Sequence, residues 1–284
     1  MEFKIKIAFP IVIGFLLSLS SCNSKDFLAM FIEKESVNYR FDQSERSNNL
    51  NGFSTIEVPS DDYTLCIAAD IHMGGISNFD KFLTDSKSLN VAAVIFNGDI
   101  SNGNTADYQT LQQHLPDTKQ MKYFSLVGNH DLFYNGWDEF HHLFGSATFY
   151  FSVKSPQASD LFICIDTGSG TLGIKQLDWL KNVLQEKRSL YRNCIVFTHS
   201  NLYRAKHSLT TNPMDEEVLI IMDLFTKYNI NIVISGHEHT NAVAKFGNTT
   251  YITIDSMKDD NENAGYEKLT IKNGLIDYQF IKIQ

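Results

Sequence analysis

Residues 123–131 read "YFSLVGNHD". An apolar run of strand character stops at Gly128, and Asn129, His130 and Asp131 follow at once. Three polar side chains at the mouth of a buried strand make a poor turn and a good site. The same arrangement recurs along the chain. "YTLCIAA" (63–69) leads into Asp70-Ile71-His72, "VAAVIFNG" (91–98) into Asp99, "CIVFT" (194–198) into His199, and "NIVISG" (231–236) into His237-Glu238-His239. Continuous apolar runs suit strands buried on both faces, and open α/β sheets bind ligands at the carboxyl ends of their strands.

Strand-like runs at 63–69, 91–96, 121–127, 160–165, 193–198 and 230–234 alternate with amphipathic stretches. In 174–184, Ile174, Leu177, Leu180, Val183 and Leu184 share a helical face, as do Val218, Ile221, Met222 and Phe225 in 214–225. After residue 240 come short strands, "NAVAKF", "TTYITI", "EKLTI" and "LIDYQFI", joined by glycine-containing turns. This order predicts an α/β core with more than one sheet. Val37, Tyr39 and Phe41 alternate with Asn38 and Arg40, a period of two that predicts an edge strand.

The 284 residues are 43% hydrophobic and 20% charged, ordinary for a globular protein. Twenty-four basic residues against 33 acidic ones give a net charge of −9. That balance excludes a broad basic face for nucleic acid. It leaves room for a focused cationic site, and bound metal could supply the charge. At the N-terminus Lys4 and Lys6 precede "IAFPIVIGFLLSL", which ends in "LSSC". A charged region followed by a short apolar run predicts a secretory signal over residues 1–21. The final Cys22 resembles the lipidated cysteine of a bacterial lipobox. The expected protein is therefore exported and held to the membrane of the cell envelope by lipid on Cys22, with an uncleaved signal anchor as the alternative. Residues 22–62 are expected to be a tether and N-terminal extension, and 63–284 the folded domain. Cys66, Cys164 and Cys194 each sit in an apolar run and read as free buried thiols, with a single disulfide as the alternative.

Asp and His with an Asn amide oxygen, and no Cys, form a donor set suited to zinc, iron or manganese. In extended backbone, residues two apart share a side, so Asp70 with His72, and His237 with His239, would each converge. His114, His141, His142 and His207 lack such partners and read as structural or surface residues.

The series D-x-H (70–72), G-D (98–99), G-N-H-D (128–131), T-H (198–199) and G-H-x-H (236–239) resembles the calcineurin-like metallophosphoesterase family across about residues 63–256. "NGWDEFHHLFG" with "ATFYFS", and "IDTGSGTLGIKQLDWLKNVL", resemble further family segments. The resemblance implies a four-layer α/β/β/α sandwich of two mixed β-sheets. It implies two divalent ions (Mn, Fe or Zn), one held by Asp70, His72, Asp99 and His239. Asp99, Asn129, His199 and His237 would hold the other, with Asp99 bridging. The implied reaction is hydrolysis of phosphate esters, monoester or diester, by a metal-bound hydroxide. His130 would stabilise phosphoryl charge or protonate the leaving oxygen, and Asp131 would orient His130. Where many members carry Asp or Arg, and purple acid phosphatases a ligand Tyr, this chain reads "GDISNG", with Asn102. That argues against a ferric-tyrosinate site and leaves the support of the ligands open. Asn201, Tyr203 and Arg204 read equally as pocket lining or as loop. Taken as complete, the chain lacks room for the large C-terminal domain of extracellular nucleotidases, which favours an open site. The competing reading is a surface-binding lipoprotein that retains metal without turnover.

Overall fold

The computed structural model describes residues 35–203 and 214–283. The signal segment, Cys22, Arg204 and His207 lie outside them. Strands β1 (Thr55–Glu57), β5 (Phe149–Lys154), β6 (Ser159–Ile165), β7 (Cys194–Thr198), β8 (Ile232–Ser235), β10 (Thr249–Thr253) and β9 (Ala242–Phe246) lie in that order in a seven-stranded sheet. A five-stranded sheet has the order β12 (Leu275–Lys282), β11 (Gly265–Lys272), β2 (Tyr63–Ala68), β3 (Ala93–Asn97) and β4 (Tyr123–Leu126). Both are mixed. β2, β3 and β4 run parallel, as do β6, β7 and β8, while β11 and β12 are antiparallel.

Three buried clusters make the layers. Tyr63, Leu65 and Ile67 on β2 meet Phe162, Phe197 and Ile234 between the two sheets. Cys66 and Ala68 on the other face of β2 pack with Phe79, Phe82, Leu111 and Phe140. Those residues belong to α2 (Ser77–Ser88), α3 (Thr105–His114) and α4 (Gly136–Phe144). Leu161, Ile163, Cys194 and Val196 face Leu180, Leu184 and Phe225 of α5 (Gly173–Lys187) and α6 (Asp215–Lys227). Both faces of the central strands are covered, so their sequences are unbroken apolar runs rather than alternating ones. The expected α/β/β/α sandwich is observed. Within α5, Ile174 departs from the expected buried face and is 75% exposed. Cys66, Cys164 and Cys194 are free and buried. No helix of the described residues is long and apolar enough to cross a membrane.

The expected edge strand at 37–41 is a helix instead, α1 (Val37–Asn51). Ser36 caps it by accepting from the Tyr39 N–H, and Gly52 at φ 71° ends it. The buried positions are Val37, Arg40, Phe41 and Ser44, spaced as one helical face. Two of the four are polar, which hid that face from a hydrophobic reading. α1 and β1 belong to the N-terminal extension expected over residues 22–62, and both pack on the domain.

Candidate metal centre

Parallel strands β2, β3 and β4 of one sheet, and β7 and β8 of the other, end at one locus. The ladder between β2 and β3 runs on past the strands, with Asp70 N donating to Gly98 O (3.0 Å) and His72 N to Asp99 O (2.9 Å). Gly236 N donates to His199 O at 3.0 Å. Across the sheets, the His237 N–H donates to Asp70 Oδ2 at 2.8 Å.

The paired residues do converge, but not through extended alternation. Asp70, His72, Asp99, His237 and His239 all have positive φ, between 46° and 71°. They are five of the ten such non-glycine residues among the described ones. Left-handed backbone costs a side-chain-bearing residue energy and concentrates at functional sites. Here the sharp turns swing successive side chains into one space. Neighbouring glycines clear that space. A Cβ on Gly98 would lie 2.4 Å from the His199 ring, and one on Gly236 2.5 Å from Asp70 Oδ2.

Three groups of donor atoms form among the described residues, Asp70–His72–His239, Asp99–His199–His237 and His72–Asp99–His130. His239 Nε2 is 3.3 Å from Asp70 Oδ1 and 3.3 Å from His72 Nε2. His199 Nε2 is 3.2 Å from Asp99 Oδ2 and 4.0 Å from Asp70 Oδ1, and His72 Nε2 is 3.9 Å from Asp99 Oδ2. Ligand atoms around one ion lie roughly 3 to 3.5 Å apart, given bonds of about 2.1 Å. Asp70 Oδ1, Asn129 Oδ1 and His199 Nε2 are buried without a hydrogen-bond partner. Buried polar atoms are normally satisfied, so the orphaned Asp70 Oδ1 and His199 Nε2 within these groups fit a cation that the donors share. Asp99 Oδ2 faces both His199 and His72, while Oδ1 accepts the His130 N–H at 2.7 Å.

Supporting residues fix which ring nitrogen is presented. His72 Nδ1 lies 3.2 Å from Asn102 Oδ1, and Asn102 Nδ2 donates to Asp107 Oδ2 at 2.9 Å. His199 Nδ1 lies 3.1 Å from the Asn97 carbonyl oxygen. In each ring Nδ1 faces a fixed oxygen, so Nε2 is the nitrogen turned toward the cluster. Burial pushes His72 down to about 4, so it stays neutral. Burial alone would raise the Asp99 and Asp70 carboxyls. The His199 ring beside Asp99, and the His239 and His199 rings beside Asp70, outweigh it and hold both below the ordinary carboxylate value.

Asp131 does not orient His130. Its Oδ1 accepts from Ser101 N (2.8 Å) and Ser101 Oγ (3.0 Å), and its Oδ2 from Gly128 N (2.9 Å) and Ile100 N (3.3 Å). The carboxyl is fully buried and ties the corner after Asp99 to the corner before Asn129. His130 is half-buried, its ring edge-on to His72 at 4.6 Å between centroids. It offers a nitrogen within reach of His72 and Asp99. Asn201 is a loop residue, donating to Thr253 Oγ1 (2.9 Å) and accepting from Tyr203 N (2.9 Å). Tyr203 packs on Tyr251 and Phe246. His114 pairs with Asp80 at 2.8 Å, and His141 stacks on Trp137. Sequence reasoning missed Asn97 and left Asn102 without a role. The Asn97 group that meets His199 is a backbone carbonyl, which leaves no mark in the sequence.

The sequence model described as calcineurin-like phosphoesterase matches residues 63–241. No curated protein matches the chain in sequence. Among solved structures, the anchor protein of the inner membrane complex of Plasmodium is 14% identical, with TM-score 0.59 over 78% of this chain and 84% of that one. A dimetal phosphatase from Danio rerio is 11% identical, with TM-score 0.58 over 77% and 95%. A purple acid phosphatase from yellow lupin seeds is 15% identical, with TM-score 0.57 over 78% of this chain and 52% of the lupin protein. At these identities the likeness is one of fold.

Proposed function

We propose, because the chain belongs to the calcineurin-like phosphoesterase family, that its strand-end cluster holds two divalent ions with the ligand division that the family motif implies. The chain is a metallophosphoesterase, a hydrolase of phosphate esters, with a candidate two-ion His/Asp site. In the finer reading Asp70, His72 and His239 would hold one ion and Asn129, His199 and His237 the other, with Asp99 shared between them. The observation that carries it is the set of orphaned atoms, Asp70 Oδ1, Asn129 Oδ1 and His199 Nε2, on a backbone turned left-handed at five ligand positions. Manganese, iron and zinc all suit these donors.

Bound ions supply Lewis acidity, which activates water and offsets phosphoryl charge. The protein's own groups do the rest. Asn102 and the Asn97 carbonyl hold His72 and His199 with Nε2 forward. Asp131 locks the Asp99 and Asn129 corners together. His130, half-exposed beside His72 and anchored by its N–H on Asp99 Oδ1, donates a hydrogen bond to the phosphoryl group or a proton to the leaving oxygen. Phosphodiesters and phosphomonoesters both stand as candidate substrates. Lys4, Lys6 and the apolar run before Cys22 support export and lipid anchoring at a membrane of the cell envelope. Mass analysis of the mature N-terminus tests that placement, since an unmodified Cys22 contradicts it. The function is tested by loading purified protein with Mn²⁺, Zn²⁺ or Fe²⁺ and offering nitrophenyl phosphate and bis-nitrophenyl phosphate. Failure to hydrolyse either with any ion overturns it.

A further inference from the structure

Arg40 lies in α1, upstream of the residues that the family model matches. Its guanidinium is fully buried. Nε donates to Asp166 Oδ2 at 2.8 Å, and Nη2 to Asp166 Oδ1 at 3.3 Å and to Ser169 Oγ at 2.8 Å. Nη1 donates to the Glu35 carbonyl at 2.7 Å, and the group sits 5.9 Å from the centre of the Trp137 ring. A buried charge with this many partners fixes what it touches, and only the planar fork of Arg can engage a carboxylate this way. What it touches is the loop 166–169.

That loop wedges between two ligand corners. Thr167 Oγ1 lies 3.0 Å from Thr198 Oγ1 and accepts the Ser200 N–H at 2.9 Å, while Ser200 Oγ donates to the Thr167 carbonyl at 3.0 Å. Thr167 thus grips the residues on either side of His199. On its other side Gly168 presses on the corner that carries Asn129. A Cβ there would stand 3.0 Å from the Gly128 oxygen and 2.9 Å from Leu132 Cδ1. Asp166 Oδ1 also accepts the Gly168 N–H at 2.9 Å, so the carboxylate that Arg40 holds shapes the loop itself. The rest of α1 reinforces the same side of the domain. Gln43 accepts from the Trp137 indole, Ser44 Oγ from Ala147 N at 3.1 Å, and Asn48 donates to Thr148 O at 2.7 Å.

We propose that Arg40 is a positioning residue for the ion site of Asn129 and His199, acting through Asp166 and the loop 166–169. Helix α1 is then a working part of this enzyme, added outside the family core. The inference rests on the two-ion reading for its consequence and on the protein alone for its mechanism, and the test separates these. Arg40→Met with Asp166→Asn removes both buried charges together, which proteins tolerate better than an orphaned charge, and keeps an acceptor for Gly168. Amide hydrogen exchange is read on the metal-free protein, and Mn²⁺ binding by titration. We expect exchange at least tenfold faster over 166–170 and 198–201, with α2 unchanged. We expect one of two Mn²⁺ ions bound at least tenfold more weakly, the other as in wild type. Arg40→Lys, which keeps charge but loses the fork, gives an intermediate effect in both readouts. It decides the matter should the double variant fail to fold. Wild-type exchange in those segments, with both ions bound at wild-type affinity, overturns the proposal. Wild-type protein that binds no second ion overturns the two-ion reading instead, and the exchange result still judges the clamp.

Discussion

Gly128→Ala adds one methyl group to the strand exit that opens the site. Its Cβ would fall 2.2 Å from Asp99 Oδ1 and 2.3 Å from the Asp99 backbone nitrogen. The second contact is with backbone, so a rotamer change cannot relieve it. Moving both contacts out past about 3.2 Å needs a shift of roughly 1 Å between the two corners. Overpacking of this kind costs about 1–3 kcal/mol. At about 2–4 °C per kcal/mol for a domain approaching this size, the melting temperature falls by roughly 2–12 °C. The functional effect is larger. Asp99 Oδ2 stands 3.2 Å from His199 Nε2 and 3.9 Å from His72 Nε2, and metal–ligand distances tolerate about ±0.2 Å. A displaced Asp99 therefore weakens both ions, and turnover falls on the order of 100-fold or more. The control is Gly74→Ala, where a Cβ meets only the His72 carbonyl at 3.6 Å, an ordinary contact. Calorimetric melting, Mn²⁺ titration and hydrolysis of the nitrophenyl esters are measured on both. A Gly128→Ala protein with wild-type ion stoichiometry and turnover would refute the placement of Asp99 at the centre of the site.

Other perturbations separate the roles. Asn102→Ala removes the acceptor at His72 Nδ1, and ion affinity falls about 10- to 100-fold; unchanged titration rejects that role. His130→Ala keeps both ions while turnover falls about 100-fold or more, and loss of an ion would make His130 a ligand. Glu267 on β11 is buried with Oε1 unpartnered, and burial, then Asp277, pushes its carboxyl up to about 7. A raised carboxyl stabilises the fold when protonated. Its contribution is whole below about pH 4.5 and is lost as pH rises through 7, by up to about 3 kcal/mol. Urea unfolding of Glu267→Gln then shows a smaller loss of stability between pH 5 and pH 8 than wild type does, and parallel curves contradict this.

The sheets were legible because their central strands are covered on both faces and so are written as unbroken apolar runs. The ligands were legible because each stands where such a run stops. Asp70 and His72 were paired correctly for an incorrect reason. Extended alternation was expected, and positive φ at both residues brings them together. Residue spacing does not reveal such a turn in the absence of glycine. α1 was misread because Val37, Tyr39 and Phe41 alternate, while the buried face runs through Arg40 and Ser44. Those polar residues are buried because Asp166 and the Ala147 N–H await them more than 100 residues later. Asp131 was misassigned for a related reason. Most of its partners are backbone N–H groups, of Ile100, Ser101 and Gly128, and backbone donors leave no mark in a sequence.

The central claim is that seven side chains from five strand ends share two ions through Asp99. Crystals of the Mn²⁺-loaded protein, read by anomalous scattering, test it most directly. The account predicts two peaks. One is bonded by Asp70, His72 and His239, the other by Asn129, His199 and His237, with Asp99 Oδ2 touching both. A single peak, or a second ion away from Asn129 and His199, contradicts it.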